Sequence, residues 1–187
     1  PWDLRSALSF LHHPTPDVAL ATLEDSAAVV RRAAYAAGYR LQAQEADALT
    51  LRALQDPARA VFRVARLNAQ RSGSAPTLAQ LAPYLHGHSP DHWQRLLQLG
   101  ALGDAWNQLI LLLSVPSAAL TDDAATRRIQ PLAQQWLANQ RYNNFVSPSH
   151  EQRQRIQALL HNAQPRLLFG TTEAAAFKSL LCTWQLA

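Results

Sequence analysis

Apolar residues along this chain recur at the three- and four-residue spacing of amphipathic helices, and no segment alternates convincingly between apolar and polar positions. Turn residues interrupt the pattern at short intervals, and most of them supply a Ser, Thr, Asp or Pro of the kind that begins a helix. Asp56-Pro57 and Gln164-Pro165 are two such points. The pattern predicts roughly ten helices of about 8 to 18 residues, with short turns between them and no strand.

Composition supports this interpretation. Of the 187 residues, 34 are Ala and 31 are Leu, whereas Val and Ile together number 10. Small and unbranched side chains lose little rotamer freedom in a helix, while β-branched ones lose more, so an all-α fold is expected. The longest apolar run, 109–113, is far shorter than the roughly 20 residues that cross a bilayer, so no membrane span is expected. A single cysteine, Cys182, excludes an internal disulfide.

An internal repeat of 31 residues is the most specific feature of the sequence. Three copies are marked by Leu23, Leu54 and Leu85, and two residues after the first two leucines stand Asp25 and Asp56. The aligned positions that follow are Val30, Val61 and His92, then Arg32, Arg63 and Gln94, then Ala34, Ala65 and Leu96. The first two copies agree well, the third is degraded, and a fourth candidate copy begins at residue 120.

This repeat pattern resembles the HEAT repeat family, especially its short bacterial form. In this pattern a helix ends in Leu, a short Asp/Pro turn follows, and the next helix carries Val and Arg before small residues. The resemblance is best over residues 23–70. It implies a right-handed α-solenoid of HEAT-like helical hairpins over residues 1–140. Residues 141–187 have helical character without the repeat phase and are expected to form a helical C-terminal cap of the same domain. An irregular helical bundle is the alternative fold.

Arginine dominates the charge of the chain, which has a formal net charge of +4 and a pI near 9.8. Eight arginines but only three acidic residues fall within residues 31–71. On the helix predicted to follow Pro57, Arg59, Arg63 and Arg66 have the i, i+4, i+7 spacing that places side chains on one face. Such a face suits an anionic partner.

A second group lies on the preceding predicted helix, where Arg32, Tyr35 and Tyr39 share a face and would place a cation beside two aromatic rings. The candidate binding residues are therefore Arg32, Tyr35, Tyr39, Arg59, Arg63 and Arg66. We expect their partner to be a protein with an acidic surface, with nucleic acid as the second choice. The alternative is a charged helical surface that only keeps the chain in solution.

Other chemistry finds weaker support in the sequence. His86, His88 and His92 lie in a turn and could gather a divalent cation, but solvated turn histidines are commoner, and we predict neither a metal nor a cofactor. Cys182 lies in an amphipathic terminal helix and is expected to be a buried, inert thiol. There is no glycine-rich phosphate loop, no Gly-x-Ser-x-Gly segment and no His-Glu-x-x-His segment, so no catalytic residue is proposed.

The five tryptophans are spread along the chain, which favours core packing over a ligand cage. One enzyme family of HEAT-like architecture, the alkylpurine DNA glycosylases, uses concave-face Trp, Asp and Arg. Trp106 near Asp104, or Trp136 near Arg127 and Arg128, invites the comparison, but no residue-by-residue match transfers a site.

The sequence thus predicts a non-catalytic protein-binding scaffold or adaptor with an Arg-rich face. The alternatives are a nucleic-acid-binding or DNA-repair protein of HEAT-like architecture, and a helical regulatory fragment of a larger enzyme. No segment resembles a signal peptide, so a cytoplasmic location is expected.

Overall fold

The prediction of an all-helical fold is confirmed. A computed structural model describes residues 22–41, 46–86, 89–121, 123–143 and 146–186, and these residues contain helices and turns but no strand. The α-helices are α1 (Ala28–Leu41), α2 (Ala46–Leu54), α3 (Arg59–Ser72), α4 (Leu78–Leu81), α5 (Pro90–Gly100), α6 (Ala105–Leu113), α7 (Asp123–Asn143), α8 (His150–Leu160), α9 (Pro165–Phe169) and α10 (Thr171–Thr183). Short 3₁₀ helices cover Thr22–Glu24, Ala82–Tyr84 and Ser117–Leu120.

The lengths of these helices depart from the expected range at both ends. Helices α4 and α9 have 4 and 5 residues, whereas α7 has 21 and continues through Pro131. A proline inside a helix removes one backbone hydrogen bond, and neighbouring packing must compensate for it. In α7 the residues Ile129, Ala133, Trp136 and Leu137 are all buried, so the apolar face of the helix is continuous across the proline.

The chain divides into two compact units between residues 76 and 77. Helices α1 to α3 lie in the first unit, and α4 to α10 lie in the second. This boundary does not decide whether residues 1–140 are repeats and residues 141–187 a cap, and that division stays a prediction.

The 31-residue spacing is visible in the helices of the first unit. Helices α1 and α3 both have 14 residues, and α3 begins and ends 31 residues after α1 does. The aligned apolar positions share their burial, because Leu23 and Leu54, Val30 and Val61, and Ala34 and Ala65 are all buried. The turns match as well, since the carboxylates of Asp25 and Asp56 each accept the backbone N–H two residues later, at 2.7 Å. Equivalent residues are therefore buried, or accept the turn hydrogen bond, in both copies.

The third copy retains only part of this arrangement. Helix α5 begins at Pro90, again 31 residues after the start of α3, and Leu96 is buried like Ala65. However, Leu85 is only half-buried, and the Asp of the turn is replaced by residue 87, which lies outside the described residues. Ser89 instead caps α5, because its hydroxyl accepts the N–H of His92 at 3.1 Å.

Most side chains in the core of the first unit are small or medium-sized, and they come from its three α-helices and the preceding 3₁₀ helix. One cluster in this core consists of Leu23, Ala34, Tyr35, Ala37, Leu49, Ala53, Val61 and Ala65. Alanine side chains allow the helix axes to approach closely. Tyr35 is the largest residue in this cluster. Packing between α1 and α3 therefore depends on the aligned alanines of the two copies.

The second unit has a different core, built around aromatic rings. Trp106 contacts Trp136 edge to face at 6.2 Å between centroids and Trp184 at 5.5 Å. Phe169 and Phe177 stack at 4.4 Å, and both contact Trp136. Because Phe169, Phe177 and Trp184 come from the last 19 residues, the C-terminal helices belong to this core.

The prediction that tryptophans serve packing is confirmed for Trp93, Trp106 and Trp136, each at most 1 % exposed. The indole N–H groups of Trp106 and Trp136 donate to the backbone carbonyls of Val146 and Ala105 at 2.8 and 2.7 Å. Trp2 lies outside the described residues.

The prediction of a buried thiol is wrong, because Cys182 is exposed. Phe177 and Leu181 occupy the buried face of α10, and one residue further along a helix turns the side chain about 100° away. Within the described part of the chain, no helix is long and apolar enough to cross a membrane.

Candidate functional site

The exposed face of α3 carries three of the predicted binding residues. Arg59 and Arg63 are exposed and Arg66 is half-buried, whereas Val61 and Ala65 on the far side of the helix are both fully buried. The side chains at these positions recur after four and three residues, so they form a row along one side of the helix. We call Arg59, Arg63 and Arg66 the arginine row.

Local sequence fixes both ends of α3 and hence the direction of the row. At the start, the Asp56 carboxylate accepts the N–H of Ala58 at 2.7 Å. At the end, Gly73 adopts the left-handed conformation with φ of +66° and donates its N–H to the Ala69 carbonyl. A glycine meets this requirement without the Cβ penalty that other residues face.

The charge of the row is only partly compensated by its own unit. Among the described residues, Arg63 and Arg66 form no ion pair or hydrogen bond with an acidic side chain. A guanidinium offers five N–H donors in a planar fork that matches a carboxylate. These two side chains can therefore accept an acidic group from outside the unit without first breaking an existing ion pair.

Two other arginines of the basic segment, Arg31 and Arg52, are already engaged. The Arg31 guanidinium binds the Asp56 carboxylate through two contacts of 2.7 and 3.0 Å and also donates to the carbonyls of Asp25 and Ser26. Hydrogen bonding to Asp56 raises the pKa of Arg31. Arg52 pairs with Glu24 at 2.7 Å. The side chain of Arg40 lies outside the described part. Within the arginine row, Arg63 and Arg66 are the two side chains that remain for a partner.

The predicted group on α1 occupies the row equivalent to that on α3. Arg32, Tyr35 and Tyr39 precede Arg63, Arg66 and Gln70 by 31 residues. Arg32 is exposed, but Tyr35 is 2 % exposed and belongs to the core. Tyr39 is half-buried and packs against the same core. The structure therefore leaves Arg32 at the surface and assigns the ring of Tyr35 to packing against its neighbours.

Hydrogen bonding explains the placement of Tyr39. Thr50 of α2 donates its hydroxyl proton to the Ala46 carbonyl at 2.8 Å, so the Tyr39 hydroxyl, 2.7 Å away, is the donor to the Thr50 oxygen. Burial raises the pKa of Tyr39, and it raises the pKa of Tyr35 to about 12. Both phenols are thus held in their neutral form.

The histidine turn has a structural contact of its own. The Nε2 atom of His92 lies 2.7 Å from the Tyr84 carbonyl oxygen, which joins the start of α5 to the preceding 3₁₀ helix. His86 is exposed and His88 lies outside the described residues. Among the residues that are described, no three His, Cys, Asp or Glu side chains are arranged to hold a metal ion.

The pairs compared with the glycosylases also have structural explanations. Asp104 is the N-cap of α6, and its carboxylate accepts the N–H groups of Trp106 and Asn107 at 2.9 and 3.0 Å. Trp106 and Trp136 are each 1 % exposed, so neither ring lies open to a base. Arg128 contacts Asp91 at 3.2 Å.

Sequence reasoning missed the Arg31–Asp56 pair. The signal was available, because Asp25 and Asp56 recur at the repeat spacing and Arg31 stands at the start of the following helix. This signal was not decisive because Arg31 and Arg32 are adjacent. Only the fold shows that Arg31 is the one that packs against Asp56 and that Arg32 is exposed.

Comparison with known proteins gives no further guidance: no family model, no curated protein and no solved structure matches this chain.

Proposed function

We propose that this chain is a non-catalytic protein-binding scaffold or adaptor, and that the arginine row contacts an acidic surface of its partner. The observation that carries the proposal is the exposure of Arg63 together with the absence of an acidic partner for Arg63 and Arg66 within the described residues. A right-handed solenoid of HEAT-like hairpins over residues 1–140, acting in the cytoplasm, is part of the same proposal.

The geometry of the row suits carboxylates on a protein. Side chains three and four residues apart on a helix are about 5 to 6 Å apart at their Cβ atoms, which is within reach of carboxylates on neighbouring turns of a partner helix. Arginine pairs with carboxylates in a bidentate manner, and complementary charge at the edge of an interface speeds association. An acidic helix or loop therefore suits the row.

Charge reversal tests the proposal. The triple variant Arg59→Glu, Arg63→Glu, Arg66→Glu should bind a short fluorescent poly-glutamate peptide at least about tenfold more weakly than the wild type, because attraction becomes repulsion along the whole row. Fluorescence anisotropy at physiological ionic strength measures the affinity. Far-ultraviolet circular dichroism confirms that the variant keeps its helices.

A matched control uses three exposed arginines of the second unit. Arg127→Glu, Arg141→Glu and Arg155→Glu change the net charge equally and should leave peptide binding within about twofold of the wild type. Equal weakening by both triples would contradict the proposal, since only total charge would then matter. Tighter binding of a short DNA duplex than of the peptide, with a steep loss on adding salt, would replace the protein partner by nucleic acid.

A further inference from the structure

An apolar groove runs between α9 and α10 in the second unit. Its volume is about 780 Å³. The buried residues Phe177 and Leu181 line it, together with Leu167, Ala174 and Ala175. Leu167 is one of the exposed large hydrophobic residues of the described chain, at 36 %. A solvent-exposed leucine beside an open apolar groove marks a surface that gains free energy when it is covered.

The charges at the groove have one sign. Arg166 and Lys178 both line it and both are exposed, and none of the described residues that line it is acidic. Within the described residues, neither cation forms an ion pair. Glu173 is the nearest acid along α10, but its carboxylate lies beside Gly170, on the side where the amides of Gln130 and Gln134 from α7 also lie.

We infer that this groove docks an amphipathic helix whose apolar face is bordered by acidic residues. Two helices that leave an apolar groove between them accept the apolar side of a third helix, read through side chains at i, i+3, i+4 and i+7. Arg166 lies on α9 and Lys178 lies on α10. The two cations therefore favour acidic residues beside the apolar face of the docked helix. The shared positive charge is the reason for assigning an acidic helix rather than a basic one.

This docking site is distinct from the arginine row. The row lies in the first unit and has little exposed apolar surface among its three residues, whereas the groove lies in the second unit and is mainly apolar. The two sites can therefore be tested separately, with separate variants.

The experiment uses a synthetic fluorescent peptide with leucines at i, i+3, i+4 and i+7 and glutamates on both sides of them. We expect it to bind the full chain, and the double variant Arg166→Glu, Lys178→Glu to weaken binding about tenfold. Ala175→Trp, at an exposed position of the groove, should weaken binding as strongly because its indole fills the space. Anisotropy gives the dissociation constants, and circular dichroism checks that each variant is folded.

Controls separate the groove from general electrostatics. The variant Arg127→Glu, Arg141→Glu carries the same charge change elsewhere on the second unit and should bind like the wild type. The same peptide with lysines in place of the glutamates should bind at least about tenfold more weakly.

The inference is overturned if the glutamate peptide does not bind the wild type, if the lysine peptide binds equally well, or if Ala175→Trp has no effect. Binding of oleate without binding of the peptide also overturns it, and would assign the groove to a fatty acyl carboxylate.

Discussion

Two ion pairs of the first unit differ chiefly in their exposure. The side chains of Arg31 and Asp56 are 11 % and 6 % exposed, whereas those of Arg52 and Glu24 are 44 % and 82 % exposed. Asp56 also accepts the N–H of Ala58, the residue before α3, and Arg31 also donates to two backbone carbonyls. A buried pair with additional hydrogen bonds leaves a costly unpaired charge when one partner is removed, and an exposed pair does not.

We therefore expect Asp56→Ala to lower the free energy of unfolding by about 3 kcal/mol, because it strands the Arg31 guanidinium and leaves the N–H of Ala58 without its carboxylate acceptor. The matched change in the exposed pair, Glu24→Ala, should cost at most about 1 kcal/mol. Urea denaturation of both variants measures the difference. Equal losses would show that Arg31–Asp56 is no more important than a surface pair.

The buried phenols of the first unit predict a loss of stability in alkali. Burial raises the pKa of Tyr35 to about 12 and also raises the pKa of Tyr39, from an ordinary value of 10.0. Between pH 10 and 12 the unfolded chain releases protons that the folded chain retains, so stability falls as the pH rises. The contribution is fully present below pH 10 and is lost as the pH passes through the folded pKa.

Ultraviolet titration of tyrosinate checks this prediction. Part of the absorbance change should come above pH 10 in the wild type, and Tyr35→Phe and Tyr39→Phe should each remove a share of that late change. If Tyr35→Phe instead removed only absorbance change that occurs near pH 10, Tyr35 would be exposed to water, which would contradict its burial.

At the scale of helices and turns, two glycines carry positive φ for different reasons. Gly73 ends α3 in the left-handed region, with φ +66° and ψ 14°, and nothing lies within 4 Å of the position of an added Cβ. Gly170 joins α9 to α10 with φ +89° and ψ 165°, a conformation almost restricted to glycine, and an added Cβ would lie 2.8 Å from the Gln130 amide nitrogen.

Gly73→Ala should therefore cost about 1 kcal/mol and Gly170→Ala about 2 to 3 kcal/mol of unfolding free energy. Urea denaturation of the two variants under the same conditions gives the comparison. A smaller loss for Gly170→Ala than for Gly73→Ala would mean that the connection between α9 and α10 relaxes easily.

The helices show where sequence reasoning succeeds and where it stops. The spacing of 31 residues places the starts of α1, α3 and α5 correctly relative to one another, because turn aspartates precede the first two helices, Ser89 caps the third, and a buried apolar position recurs in all three. The same spacing makes Tyr35 equivalent to Arg66, yet Tyr35 lies in the core and Arg66 is only half-buried. Tertiary packing decides which side of each helix is buried, and the local sequence of the helix does not specify it.

For the whole molecule, the two units differ in the way each excludes water. The first buries aligned alanines and leucines between repeated helices, which the repeat predicts. The second buries tryptophan and phenylalanine rings contributed by distant segments, including Phe169 and Phe177 from the end of the chain. Long-range aromatic clustering has no sequence period, so the sequence predicts buried tryptophans but neither the rings that meet in this core nor the groove formed by α9 and α10.

Both proposed surfaces follow from this organisation. Stacked helices with small buried residues leave one face of α3 to its arginines, and the last two helices of the second unit leave apolar side chains between two cations. Their chemistry differs, because the row offers mainly charge and the groove offers mainly apolar surface. The scaffold proposal depends on the row, whereas the groove adds a separate docking site.

The most direct test of the scaffold proposal is an NMR titration that follows the guanidinium Nε–Hε signals of the wild-type protein as poly-glutamate peptide is added. The account predicts that the signals of Arg59, Arg63 and Arg66 shift first and most, while those of Arg31, already bound to Asp56, move little. Shifts that are uniform over all arginines, or largest at Arg127 and Arg141, would contradict it.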